Sequence, residues 1–301
     1  MKTTDTLLLI VLAAIWGSSF MFMRATVDAF GPIALITVRV GVAALFLSLF
    51  LLQLKRRKEF LAHWQHLAWI GVINSALPFV LFSYASISLT GGNVSLLNTM
   101  TPVFTAIIAH YWLKDKMSSP QIMGLIICII GLIILVWDKL DITGSSSLLA
   151  ILAGICAPLF YGFASNSTKK YLSDVSPLTA TAGSLLFATL FMLLFLPFFM
   201  PEISHISHRD WAYAIILGLV CTAIAYLIFF KLIHDIGPSR AVSVTFLIPI
   251  FAFIWGYLVL DEVVTPKMWG ATVIIIIGMS YVLKLIGPKN HVIETKTKKA
   301  R

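Results

Sequence analysis

Arg39 is a basic residue set well inside a long apolar run. A guanidinium keeps its charge at any physiological pH. A charge held in hydrocarbon is costly and marks a functional position by default. Two roles fit it equally: a structural contact to backbone carbonyls or an outer water-filled vestibule, or a contact to an anionic or carboxylate-bearing substrate. Other polar groups fall inside apolar runs: Asn74, Asn98 and Thr101, with Tyr161 and Tyr226 deeper toward the cytoplasm and Trp16 near the middle of the first run. At about 1.5 Å per helical residue, Trp16 is about 15 Å into its span, and Asn74 and Asn98 about 12 Å from opposite faces. Uncompensated polar groups at such depth are expensive. They therefore line a cavity or hold helices together, and for Trp16, Asn74 and Asn98 the cavity is the expectation.

What is missing from these runs restricts the chemistry. All 13 Asp and Glu residues fall in connections, tails or span ends. A mid-membrane carboxylate is the usual proton relay, so obligatory proton coupling through a buried acid is not expected. No H-x-x-x-H or C-x-x-C spacing occurs. Cys128, Cys156 and Cys221 read as small core side chains rather than disulfide or metal partners. No catalytic set, metal site or cofactor is expected.

The elements that position these groups are membrane spans. Of 301 residues, 59% are hydrophobic and only 12% charged, with a mean hydropathy of +0.95. Soluble domains carry about a quarter charged residues. Spans of about 20 apolar residues are expected at 6–24, 31–54, 66–88, 90–112, 118–137, 147–170, 176–200, 211–233, 237–260 and 266–286. Pro78, Pro102, Pro158 and Pro249 lie inside these spans, where a missing N–H kinks a helix.

With the N-terminus cytoplasmic, 17 of the 22 Lys and Arg residues fall on the inside. That asymmetry sets the orientation and places both termini inside. The net charge of +9 is thus loop and tail charge, and no nucleic-acid partner is expected. The lipid bilayer and a small-molecule substrate are the expected partners. Oligomeric state is open, a monomer being compatible with the sequence.

The two halves of the chain repeat. At a shift of 147 residues Gly71 meets Gly218, Ser75 meets Thr222, Phe79 meets Tyr226, Pro102 meets Pro249 and Asp115 meets Glu262. Each half holds five spans, and an odd number inverts the second half relative to the first. The expectation is an all-α membrane protein of ten helices in two inverted repeats, 5–139 and 146–286, followed by a basic cytoplasmic tail, 287–301. Inverted repeats with a midplane site are a common transporter architecture.

Trp16-Gly17-Ser18-Ser19-Phe20 in the first span, Arg39 in the second, and two half-ending patterns carry a family resemblance. The first pattern runs from Pro102 through Leu113 and Asp115 to Pro120, Gly124 and Gly131. The second runs from Pro249 through Leu260 and Glu262 to Pro266, Gly270 and Gly278. The chain resembles the EamA-like family of the drug/metabolite transporter superfamily over 6–286, departing from it at Lys114-Asp115, where the family usually has Gly-Glu. The resemblance implies secondary transport of amino acids, related metabolites or amphiphilic compounds across the inner cell membrane. It also implies a central cavity among spans one, three, four, six, eight and nine. Trp16, Ser19, Arg39, Asn74, Phe79, Asn98, Thr101, Tyr161 and Tyr226 are the candidate substrate contacts. A membrane-embedded enzyme and a channel are the competing classes.

Overall fold

The computed structural model describes residues 3–137 and 145–285. The basic tail expected at 287–301, and Lys139, lie outside the described residues. Every regular element among those described is helical. Six helical stretches are long and apolar enough to cross a membrane, and the shorter apolar helices Val244–Leu260 and Pro266–Val282 accompany them. Large apolar side chains face outward along these helices, Leu52 at 79% and Leu45 at 74% exposure. That is the surface of a protein whose solvent is lipid.

Helix α1 (Thr3–Ser48) is continuous except at Gly31, whose φ of 69° and ψ of 160° lie outside any helix. The loop expected at 25–30 is helical instead, and the ion pair Arg24–Asp28, one turn apart at 3.0 Å, favours that extension. The chain doubles back at Gly31. Arg39 Nη1 lies 3.4 Å from Met23 Sδ, although 16 residues of straight helix would separate them by about 24 Å. Only glycine occupies this backbone region freely, other residues being strained by about 1–3 kcal/mol, and Pro32 restricts Gly31 further. Gly31→Val is expected to lower the thermal unfolding midpoint in detergent by several degrees, measured on purified protein beside Gly270→Ala, where an added Cβ meets nothing within 4 Å.

The next stretch is α2 (Leu54–Gly71), a π-helical turn at Val72–Ala76, and α3 (Leu77–Ser88). It starts well before the expected residue 66, with a kink at His63 (φ −121°, ψ 16°). Glu59 anchors this early portion by accepting from the hydroxyls of Ser176 and Thr179, both at 2.8 Å. The span expected at 90–112 is two helices, α4 (Gly91–Asn98) and α5 (Thr101–Trp112). Then come α6 (Ser119–Val136), α7 (Ser145–Tyr171) and α8 (Pro177–Phe195). The span expected at 211–233 is α9 (His208–Gly218), a π-helical stretch at Leu219–Ile224, and α10 (Ala225–Ile236). A short α11 (Pro238–Ala241), α12 (Val244–Leu260) and α13 (Pro266–Val282) complete the fold.

Two of the four prolines expected to kink a span stand at helix starts. Pro102 stands in the first turn of α5, where a missing N–H costs little, and Pro78 directly after the π-helical turn at Val72–Ala76. Pro158 and Pro249 lie inside helices with no non-helical residue. Breaks fall at Thr99–Met100, just before Pro102, and at Val242–Ser243, among hydroxyls that bond back to the preceding turn. Thr101 Oγ1 donates to Asn98 O at 2.8 Å, and Ser243 Oγ to Arg240 O at 2.6 Å. Such bonds offer the backbone an alternative to the helix.

Local irregularities recur at the offset of 147. The π-helical stretches begin at Val72 and Leu219, and α4 and α11 begin at Gly91 and Pro238. Lys114 and Asp261 have φ of 57° and 53°. Asp115 N donates to Ala109 O and Glu262 N to Gly256 O, both at 3.1 Å. Packing recurs likewise: α1 lies on α12 as α5 lies on α7, α2 on α8 as α9 lies on α1, and α6 packs on α13.

Candidate functional site

A cavity of about 630 Å³ lies between the helices, and all nine candidate contact residues line it. Small-molecule sites commonly measure about 300–1,000 Å³. Its deep end is built by the two arms of α1. Ser19 Oγ donates to Trp16 O at 2.8 Å, so this hydroxyl is engaged with its own helix. The Trp16 ring meets Tyr226 edge-on, centroids 6.3 Å apart, and leans on Phe229 at 5.2 Å. Opposite, Tyr161 stands edge-on to Phe79 at 6.4 Å and tilted to Phe82 at 6.0 Å. The result is an aromatic wall from four separate helical stretches.

Arg39 is 5% exposed. Its Nε donates to Thr222 Oγ1 at 3.0 Å, and Phe79 lies under its guanidinium, centroid 3.6 Å from Cζ. Thr222 belongs to the π-helical stretch Leu219–Ile224 and spends its own proton on Leu217 O, five residues back, at 2.9 Å. Its oxygen is therefore free to accept from Arg39. The wider π turn thus aims a hydroxyl at the charge, a frequent use of such turns at functional sites. Among the described residues no carboxylate lies within 4.0 Å of this guanidinium.

Asn98 and Thr101 flank the break between α4 and α5, Thr101 Oγ1 lying 3.4 Å from Asn98 Oδ1. Asn74 enters from the other π-helical stretch. Toward the mouth stand Asp115, Lys169, Val242 and Leu283. Lys169 Nζ and Asp115 Oδ2 are 3.9 Å apart and largely exposed. At the far end the lining is buried, Phe20 at 5% and Phe82 at 2% exposure. There Gly91 N, at the start of α4, donates to Glu262 Oε1 at 2.9 Å, and Phe20 meets Phe82 edge-on at 6.0 Å.

Sequence reasoning missed several lining groups. Met23 and Phe82 carry no signal beyond apolarity. Thr222 and Asn166 had one, being polar residues within apolar runs, and Asn166 is 3% exposed and donates to Thr105 O at 3.0 Å. Cys128 and Cys221 are buried as expected, whereas Cys156 is exposed on α7, so it is no core residue. Among the described residues no cluster of His, Cys, Asp and Glu could hold a metal ion.

Residues 5–137 and again 148–284 match the EamA-like transporter family. The chain belongs to this family, within the drug/metabolite transporter superfamily. It is similar to the uncharacterized transporter YoaV of Bacillus subtilis, 23% identical over 90% of this chain and 94% of that protein. It is also similar to a probable terminal-alkyne amino-acid exporter of Streptantibioticus cattleyicolor, 24% identical over 88% and 89% of the two chains. A solved crystal structure shares the fold with a TM-score of 0.64 at 14% identity, over 95% of this chain and 99% of that one. The EamA family and the names of these relatives indicate a transporter, and the apolar helices a multi-pass membrane protein.

Proposed function

We propose that the chain is a secondary transporter that exports small metabolites, of the size of amino acids, across the inner cell membrane by alternating access. It does so as ten spans in two inverted five-helix repeats, 5–139 and 146–286, with both termini and the tail 287–301 in the cytoplasm. The cavity between the repeats carries this reading: it opens at one end of the bundle and is closed at the other. Paired irregularities at one offset and packing that recurs with the halves exchanged fit two interlocked copies. Such a construction lets a single site face either side by rocking.

The mouth residues Asp115, Lys169, Val242 and Leu283 belong to segments assigned to the cytoplasm by their basic charge. A cavity open there admits cargo from inside, the loading step of an exporter, and one relative is named a probable exporter. Nine aromatic, amide, hydroxyl and guanidinium side chains, Trp16, Ser19, Arg39, Asn74, Phe79, Asn98, Thr101, Tyr161 and Tyr226, are its substrate contacts. A monomer holds the whole cavity.

Alanine at Trp16, Asn74 and Asn98, one at a time, is expected to cut efflux from preloaded vesicles about tenfold or more while membrane levels stay normal. Removing one contact of about 1.4 kcal/mol has that effect. Unchanged flux in all three variants would place the substrate elsewhere.

A further inference from the structure

We infer that the cargo is a net-anionic organic acid whose carboxylate is taken by Arg39, rather than a zwitterion or a cation. The inference rests on the transporter reading and names the substrate class of the same cavity.

The charge balance of the cavity is the first observation. Its described lining holds two bases, Arg39 and Lys169, and one acid, Asp115. Asp115 stands at the mouth beside Lys169, so the deep charge is Arg39 alone. A buried charge without a counter-ion is strongly unfavourable unless something pairs with it. Nothing in the described protein supplies that pairing: Arg39 has a hydroxyl, a thioether and an aromatic face as partners, all uncharged.

Geometry is the second observation. Phe79 covers one face of the guanidinium and Thr222 takes Nε. Stacking on a ring fixes the plane of the group, and with Nε on Thr222 and one Nη1 proton on Met23 the protons that remain on Nη1 and Nη2 are left for an approaching acceptor. Arginine held this way matches a carboxylate through two parallel hydrogen bonds. The neighbouring Trp16, Phe79 and Tyr161 rings offer an apolar wall to the rest of the molecule. An ammonium placed in the same space meets Arg39 without any deep acid to balance it, and like charges at low dielectric repel.

The test uses one carbon skeleton in three charge states: hydrocinnamate, L-phenylalanine and hydrocinnamamide. Each is titrated calorimetrically into the full chain in lipid nanodiscs, and each is offered to proteoliposomes for flux. The expected order is acid first, by about tenfold or more over both the amide and the amino acid. Arg39→Gln is expected to bring acid and amide to within about threefold of each other, and Arg39→Lys to keep the order with weaker acid binding. If Arg39→Gln does not purify, the order in the natural chain and in Arg39→Lys decides. Equal binding of acid and amide, tighter binding of the amino acid, or no binding by any of the three overturns the proposal, as does an unchanged acid preference in Arg39→Gln. Acid-selective binding with no flux of any compound keeps the carboxylate site and removes transport. Flux without acid preference does the reverse.

Discussion

Gly17→Leu is expected to yield no monodisperse protein from detergent extracts, and Gly17→Ala a protein whose unfolding midpoint is about 2–12 °C lower. A Cβ at this position would stand 2.6 Å from Phe251 Cβ, 2.9 Å from Ala252 N and 3.0 Å from Ile248 O. Two of these three atoms are backbone of α12, which cannot rotate aside. The helices must separate, and overpacking of this kind costs about 1–3 kcal/mol, each worth about 2–4 °C in a chain of this order of size. The damage is also functional, because Trp16 and Ile248 on either side of the contact line the cavity. Circular dichroism melts of Gly17→Ala beside Gly270→Ala check it. A midpoint for Gly17→Ala that matches the Gly270→Ala control would contradict the close approach of α1 and α12.

Gly17 also marks where the sequence stops being informative. Its neighbours Trp16 and Ser19 attract notice because an aromatic ring or a hydroxyl has chemistry of its own. A glycine inside an apolar run has none, and its role exists only once α12 is laid against it, 231 or more residues away in the chain. The same holds for Arg39. Its depth was legible because charge in an apolar run is conspicuous. Its partners Thr222 and Phe79 were not, although both had been singled out as repeat positions. The candidate contacts gather on one cavity because polarity at mid-depth has few physical explanations. Helix ends were less legible for an equally physical reason. Hydropathy registers what touches lipid, whereas the breaks at Thr99–Met100 and Val242–Ser243 sit among hydroxyls bonding backward, the first of them beside Pro102, and the amphipathic start of α2 is held by Glu59 reaching across to Ser176 and Thr179.

Glu262→Gln is expected to open the closed end of the cavity. The Glu262 carboxylate accepts from Gly91 N, the first donor of α4, where the helix presents unsatisfied N–H groups and partial positive charge. Gln keeps an acceptor oxygen but not the charge, and the difference between a charged and a neutral hydrogen bond, about 1 kcal/mol, shifts the balance between closed and open about fivefold. Asn93, 6% exposed just inside α4, reports the shift. In a chain with Cys128, Cys156 and Cys221 replaced by alanine, Asn93→Cys should react slowly with an impermeant maleimide added outside. Adding Glu262→Gln should raise that rate about fivefold.

Gly256→Ala should reproduce the effect by another route, since a Cβ there would lie 2.5 Å from Glu262 Oε2 and push the carboxylate away. Asp115 holds the corresponding place at the other end, but α11 there begins with Pro238, which has no N–H to offer. Asp115→Asn is therefore expected to change labelling far less than Glu262→Gln. Equal effects of the two substitutions, or an unaltered rate in Glu262→Gln, would mean that aromatic packing around Phe20 and Phe82 alone keeps this end shut. One end thus rests on a helix start that donates to a carboxylate, while the matching helix start at the other end has no N–H to give.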